Sequence, residues 1–155
     1  MNGFLSYSHA DMAWFQALAP HLKALKRGFG LNVWTDHQIL AGTQWEQRIA
    51  DAIAAADVLV LLVSPGFIAS DYVWDKELPA IRARRDAGAL VLPVVLTRCY
   101  WELAVKQLQA VPTRDGALTP LSDWRPRDHG LDAACRQISR SIADHFAIAE
   151  THLKW

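Results

Sequence analysis

The sequence predicts a doubly wound α/β fold, a three-layer sandwich in which five parallel strands are covered by helices on both faces. Three observations carry that prediction. Val58-Leu-Val-Leu-Leu-Val63 is an unbroken apolar run between Asp57 and Ser64-Pro65-Gly66, the pattern of a strand buried on both faces. Apolar residues at helical spacing fill the stretches between such runs, so strands and helices alternate with short connections, which implies a parallel sheet with right-handed crossovers. Helix-start signals of the capping-box form, Ser8-His-Ala-Asp11 and Thr43-Gln-Trp-Glu46, follow the first two strand candidates.

Taken in order, residues 3–7 read as the first strand. Trp14, Phe15, Leu18, Leu22 and Leu25 give the first helix its apolar stripe; Pro20 should bend it, and Gly28 and Gly30 end it. Residues 31–34 form a short second strand. A loop bracketed by Asp36 and Gly42 leads to a helix whose stripe is Trp45, Ile49 and Ile53. The third strand, 58–63, ends in a turn at Pro65 and Gly66. Ser70 or Asp71 then caps a helix facing inward through Trp74, Leu78 and Ile81. Residues 89–96 form a fourth strand in which Pro93 requires a bulge or an edge. A short helix near 101–108 and a loop-rich stretch follow, with a weak fifth strand at 117–121. Leu131, Ala134, Cys135, Ile138, Ile142 and Phe146 mark a final amphipathic helix. The resulting layout is flavodoxin-like, with strand order 2-1-3-4-5.

The chain of 155 residues, 52% hydrophobic, is one domain over residues 1–149 with a short tail at 150–155. Sixteen basic and sixteen acidic residues cancel, so no global field recruits nucleic acid or an anionic membrane. Cys99 and Cys135 are too few for a disulfide framework, which fits a reducing cytoplasm. With a strand starting within a few residues of Met1 there is no room for a signal peptide, and no apolar run reaches membrane-spanning length. The expectation is a cytoplasmic protein.

Several chemistries are excluded by residue type. Ser6-Tyr-Ser-His-Ala10 holds no glycine, so the dinucleotide fingerprint is missing after the first strand, and there is no P-loop. A phospho-acceptor receiver domain needs an aspartate at the end of the third strand, where Ser64-Pro65 stands. The six histidines have no metal-ligand spacing and no GxSxG elbow exists, so no metal site and no cofactor are expected. What remains is the crevice beyond the carboxyl ends of the strands, where open α/β sheets bind ligands. Trp34, Trp45 and Trp74 each flank it, and flat aromatic walls suit a nucleobase or a nicotinamide ring. Glu77 lies one helical step from the inward stripe; on spacing alone the simpler reading is a solvated glutamate paired with Lys76, Arg82, Arg84 or Arg85.

Four motifs in order change that balance: Phe4-Leu-Ser-Tyr-Ser8 with Asp11; Val33-Trp-Thr-Asp36 through Ile39, Gly42 and Trp45; Ala56-Asp-Val-Leu-Val-Leu-Leu-Val-Ser-Pro65; and Ser70-Asp-Tyr72 with Glu77-Leu78. Over roughly residues 3 to 100 the chain resembles the TIR (Toll/interleukin-1 receptor) domain family. The resemblance implies a flavodoxin-like domain and, for bacterial and plant-like members, cleavage of NAD+ at the nicotinamide–ribose bond by a single glutamate, whose place Glu77 takes. It also implies that the loop Asp36, His37, Gln38, Ile39, Leu40, Ala41, Gly42 mediates assembly with other TIR domains and helps complete the pocket. Ser8, His9, Trp34, Asp36, Trp45, Tyr72 and Trp74 are then the expected substrate contacts. Two departures stand out: Val73 occupies a place often held by cysteine, and the spacing from the aromatic to the glutamate is one residue longer than in many members.

On this reading NAD+ is a substrate, activity needs self-assembly, and the domain is the effector half of a longer chain with a C-terminal sensor. Adaptor TIR domains share the fold without the activity, so a non-catalytic scaffold is the alternative.

Overall fold

The computed structural model describes residues 1–35 and 45–148. Four parallel strands form the sheet: β1 (Asn2–Ser6), β2 (Asn32–Thr35), β3 (Val58–Val63) and β4 (Leu90–Val95), in the order β2-β1-β3-β4. β3 is buried at every residue, as its unbroken apolar run requires.

Strand alternation sorts side chains onto two faces, each with its own core. Leu5, Val58, Val60, Leu62, Leu92 and Val94 pack against α1 (Met12–Phe29) and α6 (Arg127–Phe146). Phe4, Leu59, Leu61, Val63 and Val91 pack against α2 (Trp45–Ala55), the short α3 (Pro65–Ala69), α4 (Leu78–Asp86) and the single-turn α5 (Glu102–Val105). α1 runs through Pro20 and ends at Gly30, whose φ of 66° is the left-handed cap that glycine adopts without strain.

The sheet has four strands, not five. Residues 117–121 do not join it: Ala117–Leu118 (β6) pairs antiparallel with Thr113–Arg114 (β5) in a separate hairpin. The fifth position beside β4 shrinks to one parallel bridge, Val94 with Val111, made by Val95 N–H to Val111 O and Val111 N–H to Pro93 O. Extending that ladder toward the N-terminus would need an N–H from Pro93, which has none. Extending it the other way would need the N–H of Thr113, which Gln137 Oε1 accepts at 2.8 Å. Pro93 therefore sits on an edge.

A second correction concerns the first helix start. Ser8 Oγ accepts from Ala10 N–H at 3.4 Å over a single 3-10 turn, His9–Asp11, before α1 begins. Asp11 does not complete a capping box; its carboxylate takes the Ser64 hydroxyl instead. Thr43 and the loop Asp36 to Gly42 lie outside the described residues, as does the tail 150–155. No described helix is long and apolar enough to cross a membrane.

Candidate active site

The sheet order reverses between β1 and β3, since the chain leaves β1 for β2 on one side and returns to β3 on the other. Ser6 ends β1, and Ser8, Asp11, Ser64 and Gly66 lie beyond the carboxyl ends of the two strands, the place where a doubly wound sheet opens a crevice. Ser64 joins its two banks: its hydroxyl donates to Asp11 Oδ2 and its oxygen accepts the Phe67 N–H at 3.1 Å, capping α3. Gly66 keeps the banks close, because a Cβ there would stand 3.0 Å from Ser8 Oγ.

Glu77, the residue that precedes α4, reaches the end of β1 at Ser6. The helix does not hold α pitch throughout: Val73–Glu77 is a π-helical turn in which Leu78 N–H reaches back five residues to Val73 O. Such a turn absorbs one extra residue without displacing the helix on either side. The extra residue that the resemblance implies between Tyr72 and Glu77 falls within this turn. Counted at 3.6 residues from Trp74 and Leu78, Glu77 falls beside the inward stripe. The wider turn instead buries Val73, Glu77 and Leu78 together and leaves Asp75 and Lys76 exposed.

The solvated reading of Glu77 is thus overturned: it is 4% exposed, one of few buried polar side chains among the described residues. Ser6, on the same face of β1 as Phe4, donates its hydroxyl to Glu77 Oε2 at 2.8 Å across 71 residues of chain. Glu77 also lines a cavity of about 230 Å³ between α2 and α4, with an apolar floor of Ile49, Ile53 and Ala80. A second carboxylate, Glu46, stands on the same cavity with Tyr72 and Lys76. The sequence offers Glu46 as a capping-box residue and Ser6 as part of the first motif, and assigns neither of them to the site.

The aromatic candidates divide. Tyr72 lines the Glu77 cavity, and its ring lies 4.9 Å from that of Trp45, which is 39% exposed at the start of α2. Trp74 is turned aside, its indole N–H donating to Ile68 O at 2.5 Å. Trp34 stacks on Phe4 with ring centroids 5.6 Å apart and borders a different cavity with Asn2, Gly3 and Ala55. Ser8 is half-buried on the rim and His9 exposed beside it, its ring 6.3 Å from that of Tyr7. Asp36 and the rest of the loop to Gly42 lie outside the described residues.

Other groups are poorly placed for chemistry. Burial pushes the thiols of Cys99 and Cys135 up, so neither is a ready thiolate nucleophile. No group of three or more His, Cys, Asp and Glu among the described residues could hold a metal ion. A larger groove of about 730 Å³ runs beside β4 and is lined by none of the crevice residues.

Comparison with known proteins identifies the family of the chain. The chain is 38% identical over 143 residues to the uncharacterized protein y4lF of Sinorhizobium fredii, a match covering 91% of this chain and 42% of that relative. The model of the TIR domain family matches residues 4–128, which run from β1 through the crevice, Glu77 and β4 to the start of α6, and the chain belongs to that family.

Proposed function

We propose that this TIR domain is an NAD+ glycohydrolase, switched on by self-assembly and serving in bacterial anti-phage defence, with Glu77 as its catalytic residue. The observation that carries the reading is a buried glutamate, held by Ser6, at the switch point of the sheet and on the wall of a cavity.

One carboxylate is enough for this reaction. Nicotinamide is bound to ribose as a cationic pyridinium and leaves as a neutral molecule, so no general acid has to protonate it, unlike the leaving group of an ordinary glycoside. Glu77 would hold the ribose hydroxyls and stabilise the positive charge that develops on the ribosyl carbon. Burial strengthens that interaction by excluding water. Water, or the adenine of the same molecule, then captures the ribosyl cation and gives ADP-ribose or a cyclic form. Tyr72 and Trp45 form the aromatic wall for the departing ring, and Ser8 and His9 flank the remainder of the dinucleotide. The loop Asp36 to Gly42 of a neighbouring copy completes the pocket. A C-terminal sensor in a longer chain would supply the trigger.

The test is nicotinamide release from NAD+ by the purified protein, dilute and under crowding or fused to an oligomeriser, with products identified by mass. Release that rises with assembly is expected. No release in any assembled state would overturn the reading.

A further inference from the structure

We infer that Ser6 is a positioning residue for Glu77, holding one carboxylate oxygen fixed so that the charge is presented to the crevice in one orientation. The inference rests on the glycohydrolase reading for its kinetic consequence, but not for its structural one.

β1 is built of apolar residues that pack, Phe4 into one core and Leu5 into the other. Ser6 is 1% exposed on the Phe4 side, where packing alone favours an aliphatic side chain and an unbonded hydroxyl would be costly. Its hydroxyl instead donates to Glu77 Oε2 at 2.8 Å. The donor stands at the end of a strand paired on both sides, with β2 and with β3, so its backbone has little freedom. The acceptor hangs from a π turn, the least regular part of its helix, and gains most from an external anchor. The bond joins the sheet to the α4 layer at the crevice, as the Ser64–Asp11 bond joins the two loops beside it. A catalytic charge is effective when it is held in place before the reaction begins, and a hydrogen bond to an ionised group is among the stronger ways to hold it.

The experiment compares wild type, Ser6→Ala, Ser6→Thr and Glu77→Gln, each checked for an intact fold by amide NMR. The first readout needs no turnover: the side-chain carboxyl carbon resonance of Glu77, identified by its loss in Glu77→Gln, should move in Ser6→Ala and return toward its wild-type position in Ser6→Thr. The second is kinetic: kcat for nicotinamide release should fall about ten- to a hundredfold in Ser6→Ala with KM nearly unchanged, and Ser6→Thr should recover most of it. In the Glu77→Gln background Ser6→Ala should make little further difference. A Glu77 resonance indifferent to Ser6→Ala overturns the inference whatever the protein does to NAD+, and so does a moved resonance with unchanged kcat. A moved resonance that Ser6→Thr restores, in a protein that never releases nicotinamide, supports the positioning role and defeats the glycohydrolase reading instead.

Discussion

Burial separates Glu77 from Asp75 and Lys76, its neighbours in the same turn, and burial is what periodicity could not deliver there. The four family motifs singled out Glu77 by position, but the inward stripe counted through Trp74 left it beside the core, because a 3.6-residue period has no way to express one π turn. Ser6 was legible as part of the first motif but not as a partner of Glu77, which is 71 residues away and which no local rule connects to it. Ser64 was read only as the residue that closes the third strand, and it is also a cap and a link between loops. Ser64→Ala removes both the α3 cap and the partner of Asp11, and should lower stability by about 1 to 2 kcal/mol, read as a fall in the urea midpoint at unchanged m-value. A midpoint equal to wild type would mean that neither bond contributes.

At the scale of elements, strand positions were read well where composition is extreme. β3 falls on its apolar run, and β1, β2 and β4 lie within a residue or two of expectation. The fifth strand failed for a reason that single-segment reading misses: Pro93 lacks a donor and Gln137 captures Thr113, so the ladder is blocked in both directions and stops at a single bridge. Two changes test the element-level account. Deleting Asp75, an exposed residue of the π turn, should restore α pitch while Tyr72 and Glu77 keep their places; the melting temperature should stay within about 5 °C of wild type. Loss of the cooperative transition would mean that the extra residue is needed for folding. Gly130 tells the opposite story, since a Cβ there would lie 2.6 to 2.9 Å from three side-chain atoms of Trp124, which is itself fixed by its indole N–H to Thr119 O at 3.0 Å. Gly130→Ala should therefore cost about 1 to 3 kcal/mol by overpacking, measured by thermal denaturation. No loss would show that Trp124 can move aside freely.

For the whole molecule, alternation of strands and helices was enough to read a doubly wound sheet and therefore the end of it at which a site would form. The central claim is that one buried carboxylate at the switch point carries the chemistry, and its most direct measurement is nicotinamide release from NAD+ by assembled wild type, Glu77→Gln and Asp75→Asn. Glu77→Gln keeps shape and reach but removes the charge. The predicted result is a loss of about a hundred- to a thousandfold, corresponding to about 3 to 4 kcal/mol of transition-state stabilisation, with the melting temperature within a few degrees of wild type and Asp75→Asn at full rate. Equal rates for wild type and Glu77→Gln would contradict the claim.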